Sequence, residues 1–146
     1  MNDLQRFWND FCETNKKKEL KYKDAFQFGV QPDWLADLVV KGKKTATTSG
    51  FIFYELEQEA IPKAGEYSII LNGKNEPVAV IQIQSVEVVP MDEVTEEFAL
   101  AEGEGDYQFW WEAHEKFFTN LLEKYNKEFS SRMLVVCERF KKVYPN

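Results

Sequence analysis

Sulfur and histidine are scarce in this chain, and what is missing narrows the options quickly. Its 146 residues include two cysteines, Cys12 and Cys137, and a single histidine, His114. The cysteines lack any CxxC or CxxH spacing, so there is no metal signature and no cofactor is implied. Cys12 falls in an amphipathic helical pattern and Cys137 in an apolar strand pattern, which predicts buried thiols in a reducing, cytoplasmic setting. The N-terminus is polar and lacks the apolar core of a signal peptide. No stretch approaches the roughly 18 apolar residues that cross a bilayer, so no membrane partner is expected. No low-complexity tract, internal repeat or Gly/Pro-rich linker breaks the chain, so residues 1–146 read as one domain.

Positive charge is also short: 18 Lys and Arg against 25 Asp and Glu give a net charge of −7. This argues against a protein that holds duplex nucleic acid mainly by neutralising phosphates. The deficit is local. From Glu87 to Asp106 there are eight acidic residues and no Lys or Arg, whereas lysines gather at Lys16, Lys17, Lys18, Lys21, Lys23, Lys41, Lys43 and Lys44.

Apolar residues are plentiful at 44%, with 15% aromatic, so a sizeable core is available. Leu4, Phe7, Trp8 and Phe11 recur at helical spacing over about residues 2–14. The lysine-rich run after them reads as a solvated connection. Pro32 and Asp33 open a second helix through Trp34, Leu35, Leu38 and Val39, ended by Gly42. Strands are expected at 66–71, 77–89 and 133–140, with short segments near 44–48 and 51–54 able to complete a barrel. Pro90, Met91 and Asp92 start a short helix carrying Val94 and Phe98. Asp106 is a good N-cap for the longest helix, about 107–128. Trp8, Phe11, Trp34, Val80, Ile83 and Val136 are the expected core. Helices and strands do not alternate strictly, so the class is α+β.

Three constellations carry chemistry. Gly42-Lys43-Lys44-Thr45-Ala46-Thr47 sets an amine and a hydroxyl three residues apart after a helix. Lys44 beside Thr47 suits a base and its nucleophile, but lysines also suit a solvated helix C-terminus. Glu102-Gly103-Glu104-Gly105-Asp106 alternates carboxylates with glycines ahead of a helix. Such a loop can aim acids into a cleft, or simply cap the helix. Trp110 and His114 share a helix face at i and i+4, suited to stacking and hydrogen-bonding a base, or to a core Trp with a surface His.

Together these motifs resemble the ASCH family, whose members have a small PUA-like β-barrel flanked by helices. The G-x-K-x-x-T signature is present at Gly42, Lys44 and Thr47. The EGEGD loop, Trp110, His114, Phe117 and Phe118 match a bacterial subgroup. The resemblance implies about five to six mostly antiparallel strands, a cytoplasmic protein, and a nucleoside, nucleotide or single-stranded RNA as partner. Some small members resemble amidohydrolases acting on N4-acylated cytosine nucleosides. Carried over, Lys44, Thr47 and Glu102 would be catalytic; Thr45, Glu104, Asp106, Trp110 and His114, from the same motifs, are the candidate substrate-binding residues. Two alternatives stand beside this: a non-enzymatic RNA-binding module, and a ribonuclease using Lys44 with Glu102 or His114. One departure counts against a shared substrate: many ASCH chains carry Arg two residues after the motif Thr, where this chain has Ser49.

Overall fold

The computed structural model describes residues 2–16, 20–29 and 31–146. The connection expected at Lys17 and Lys18 lies outside them. The first helix, α1 (Asp3–Thr14), forms where the apolar stripe predicts it, and Asn2 caps it by accepting from the Gln5 N–H. Its buried face, Trp8 and Phe11, packs on Tyr67, Ile69 and Val80. Trp8 also donates its indole N–H to the Leu20 carbonyl.

Five strands form one mixed sheet in the order β1-β3-β4-β5-β2, curled into a half-barrel. They are β1 (Asp24–Gln27), β2 (Ala46–Gly50), β3 (Tyr67–Leu71), β4 (Pro77–Pro90) and β5 (Leu134–Tyr144). β1 pairs with β3 in parallel; the other pairings are antiparallel. Side chains alternate across each strand. Tyr67 and Ile69 of β3 therefore face α1, while Ile70 faces the concave side. There Ile70, Ala79, Ile81 and Phe140 pack under α2 (Pro32–Val40), through its Leu35, Ala36, Leu38 and Val39. On the convex side of β5, Val135 and Cys137 pack with Ala46 of β2 under α4 (Glu96–Ala101) and α5 (Tyr107–Glu123).

Several sequence expectations need correction. Residues 51–54 are not a strand: Phe51–Glu57 is a helix, α3, entered from Gly50. Trp34 is not core. It is 40% exposed, because Leu35 and Leu38 take the inward face of α2. The short helix after β4 divides into a 3-10 turn at Met91–Glu93 and α4, which Thr95 caps by accepting from the Phe98 N–H. The longest helix stops at Glu123, and β5 runs on to Tyr144. β1 was not foreseen, since four residues bordered by Gly29 carry little period-two signal. Trp8, Phe11, Val80, Ile83 and Val136 are buried as expected. Both cysteines are free thiols, Cys137 buried and Cys12 half-buried. Burial pushes Cys137 up to about 12, with Glu102 and Glu87 adding to the shift.

The two tryptophans make opposite predictions. Trp8→Ala should cost about 3–5 kcal/mol, the usual loss for a large core aromatic. Trp34→Ala should cost less than about 1 kcal/mol. Urea denaturation of both variants checks the pair.

Candidate functional site

The motif turn begins where α2 ends. Gly42 adopts φ +76, a left-handed conformation suited to glycine, and the N–H groups of Lys43 and Lys44 both donate to the Leu38 carbonyl. The chain then meets the end of α4, where the Thr45 N–H donates to the Ala101 carbonyl. The acidic loop closes on this turn from the other side. Gly103 has φ +77, and a Cβ there would lie 2.5 Å from the Lys43 carbonyl oxygen. Glycine is what lets the two loops touch.

Their contact buries a charged cluster. Lys44 is 2% exposed, and its ammonium donates to Glu102 Oε1 at 3.1 Å, Glu104 Oε2 at 3.1 Å and the Ala46 carbonyl at 3.0 Å. Three protons meet three acceptors. The Phe28 ring covers the ammonium, its centroid 5.1 Å from Nζ. Glu102 is also 2% exposed. Its Oε2 accepts from Thr48 Oγ1 at 2.6 Å and from the Trp110 indole N–H at 2.6 Å. His114 Nε2 stands 3.5 Å from the same oxygen. His114 Nδ1 lies 2.7 Å from the Trp110 carbonyl, which can only accept, so Nδ1 carries a hydrogen. Burying these charges is costly, and the cost is offset because each is paired and hydrogen-bonded.

Thr47 belongs to a different surface. Thr48 points toward α5 and Glu102, so its neighbour Thr47 points to the concave side. There a cleft of about 630 Å³ opens between β1 and β2, the two edge strands of the sheet among the described residues. Phe26, Phe28 and Phe117 supply aromatic walls, and Thr47, Ser49, Tyr54 and Ser68 supply hydroxyls. Ser68 donates to Asp24 at 2.6 Å, and the Ser49 and Tyr54 hydroxyls are 2.9 Å apart. Burial raises the Tyr54 phenol. Glu138, the register partner of Thr47 on β5, lines the same cleft. Its carboxyl has no hydrogen-bond partner among the described residues. It is pushed up to about 7, chiefly by burial. Asp24, Glu66 and Glu102 add to the rise, and Lys23 opposes it.

The residues expected from sequence therefore divide into two groups. Lys44, Glu102, Glu104, Trp110 and His114 form the buried cluster. Thr47 lies across β2 in the open cleft, and no hydrogen bond joins it to Lys44. Thr45 is exposed, its hydroxyl on the Ala101 carbonyl, and Asp106 caps α5 by accepting from the Phe109 N–H. Trp110 is 3% exposed and offers no face for stacking; Trp111 is half-buried and donates to Glu115. Sequence reasoning missed Asp24, Tyr54 and Glu138. Only Glu138 left a signal: alternation along β5 sets it on one face with Val136 and Phe140, an acid at an inward position.

Two measurements test this description. Lys44→Met and Glu102→Gln should each cost about 3–5 kcal/mol, since each strands a buried charge or donor. The double variant should lose less than the sum, as a double-mutant cycle in urea would show. For Glu138, the ordinary value near 4.5 is raised to about 7 in the fold. The folded state therefore binds more protons between these values, and stability falls as pH rises through that window. Glu138→Gln should remove the slope. Its gain at pH 8 should be on the order of 2–3 kcal/mol, vanishing below pH 4.5.

The ASCH domain family matches residues 24–144. A crystal structure of a protein from Enterococcus faecalis V583 is 37% identical, with a TM-score of 0.86, covering 97% of this chain and 90% of that one. The ASCH domain from Lactobacillus crispatus JV V101 is 30% identical, with a TM-score of 0.91, covering 97% and 94%. A third structure, of a hypothetical protein, is 16% identical with a TM-score of 0.53, covering 84% and 99%; it speaks to the fold alone. No curated protein matches the chain. Among the described residues no helix is long and apolar enough to cross a membrane. With the family match spanning most of the chain and close agreement in fold with a solved ASCH domain, the chain belongs to the ASCH domain family.

Proposed function

We propose that this ASCH domain binds an uncharged, nucleoside-like small molecule in the cleft between β1 and β2, and that Thr47 acts there as the nucleophile of an amide hydrolysis. The carrying observation is the cleft itself, which combines aromatic walls with hydroxyls and carboxylates in a volume of about 630 Å³. That size and mixture suit a small planar ligand held by a few placed polar groups. Phosphate suits it poorly. Asp24, Glu59 and Glu138 line the cleft against one cation, Lys23. This favours a neutral ligand over an RNA backbone, whose contacts would need positive charge.

Within this reading an N4-acylated cytidine is the natural trial substrate. Thr47 supplies a cleft-facing hydroxyl to attack the acyl carbon; its proton passes to the amine as the C–N bond breaks, and water then cleaves the acyl-threonine ester to release the acid and restore the hydroxyl. Lys44 and Glu102 act as positioning residues. All three ammonium protons are already donated, and the pair fixes the start of β2 through the Ala46 carbonyl and the Thr48 hydroxyl. Glu104 shares the task with Glu102, so both glutamates of the loop contribute.

The experiment combines binding with turnover. Cytidine and N4-acetylcytidine should raise Tm, by roughly 2.7 kcal/mol of stabilisation at 100-fold their Kd. Their affinity should hardly change between 50 and 200 mM salt, whereas an RNA ligand held by phosphates would weaken steeply. Thr47→Ala should leave the fold intact and reduce N4-acetylcytidine hydrolysis by on the order of a thousandfold or more. Hydrolysis that survives Thr47→Ala removes the nucleophile assignment. Tight, steeply salt-dependent binding of short RNAs without turnover would replace the whole reading with an RNA-binding module.

A further inference from the structure

The open edge of β2 and the Glu138 carboxylate beside it carry an inference that rests on the nucleoside reading of the cleft. In an antiparallel pair, alternate residues turn their N–H and C=O groups toward the partner strand and away from it. Phe140 of β5 donates its N–H to the Thr45 carbonyl, so Thr45, Thr47 and Ser49 face β5 with their main chain. Ala46, Thr48 and Gly50 must face the open side. The Ala46 carbonyl bears this out, since it accepts from the Lys44 ammonium rather than from a strand. The next outward peptide groups are the N–H and C=O of Thr48, and Thr48 lines the cleft although its side chain is turned to Glu102. The cleft thus presents one main-chain donor, one main-chain acceptor and, from Glu138, a carboxylate without a hydrogen-bond partner among the described residues.

We propose that this arrangement selects a planar heterocycle bearing an exocyclic amino group. The amino hydrogens go to the Glu138 carboxylate and the Thr48 carbonyl, a ring acceptor goes to the Thr48 N–H, and the ring lies against the half-buried Phe26 and the exposed Phe117. The class is amino-bearing bases of the cytosine and adenine type. Oxo-bearing bases of the uracil and hypoxanthine type are discriminated against, because they turn a carbonyl oxygen toward an acceptor. A buried acceptor left facing another acceptor is costly, which is how polar sites reject close analogues.

Proton linkage gives the idea a signature. Glu138 is faced by Asp24 and Lys23 of the β1 region, by Glu66 before β3, by Glu102 beyond β2, and by Tyr54 and Glu59 around α3. Burial and the surplus of acids raise it to about 7. Above that pH the carboxylate accepts from an amino group. Below it the carboxylic acid donates to a carbonyl oxygen. Amino and oxo bases should therefore respond to pH with opposite sign.

The test is isothermal titration of the full chain with cytidine and uridine, and with adenosine and inosine, at pH 6 and pH 8. At pH 8 each amino nucleoside should bind about tenfold or more tightly than its oxo counterpart. From pH 8 to pH 6 the amino nucleosides should weaken about tenfold, while the oxo nucleosides strengthen. Glu138→Gln, whose amide both donates and accepts, should flatten the pH dependence and bring each pair within about threefold. If that variant fails to fold, the opposite pH trends of the wild type decide alone. Equal binding of amino and oxo nucleosides overturns the inference and leaves the nucleoside reading standing. So does tighter binding of an aliphatic amine such as putrescine. Failure of all four nucleosides to bind at either pH overturns both.

Discussion

The architecture of this domain depends on one buried ammonium. Lys44 sits where the turn after α2 becomes β2, and its three donors tie two carboxylates of the acidic loop to the Ala46 carbonyl at the head of the strand. Glu102 extends the tie to Thr48, Trp110 and, more loosely, His114. The cluster therefore joins four chain segments that local propensity alone would not bring together. Such a cluster does not raise stability over a well-packed apolar core; its contribution is to make one arrangement far better than its neighbours, since any misplacement leaves a charge buried without its partner. The geometry around Gly103 serves the same end, because a residue with a Cβ would hold the acidic loop off the lysine.

The placement of β2 follows from this. Held at its start by Lys44 and along its outer face by Thr48, the strand can remain the last in the sheet without fraying. The sheet then stops short of closure, and the gap between its first and last strands is the cleft. Polar residues that would be out of place in a closed barrel find use there. Thr47 and Glu138 are opposite one another on the concave side, while their sequence neighbours Thr48 and Cys137 belong to the helix-covered side. One strand pair thus serves two environments, one dry and charge-paired, the other open and acidic.

Much of the fold was legible in the sequence, for identifiable reasons. The stripe of Leu4, Trp8 and Phe11, the proline at the head of α2 and the alternation through Val78 to Val88 are local signals, and the elements they announce are present. The motif residues Lys44 and Glu102 do come together as their resemblance implied. What remained hidden depends on long-range geometry. Residues 51–54 are aromatic enough for a strand, but follow directly on Gly50 at the end of β2, where the chain turns into helix. Trp34 carries the largest side chain of α2 yet lies outside, because burial there follows helix phase rather than size. Thr47 and Lys44 are close in sequence and on different sides of a strand, a separation fixed only once Thr48 is bonded to Glu102.

An unfinished sheet also has a cost in company. A free strand edge is a template on which another chain can add, and proteins protect such edges with charge, covering elements or short length. β2 is only five residues long, and the ammonium of Lys44 already occupies its Ala46 carbonyl. An incoming strand would have to displace the lysine ammonium from the Ala46 carbonyl to complete its ladder. The cluster that secures the domain from within therefore also makes the head of its open edge a poor place for another strand to add.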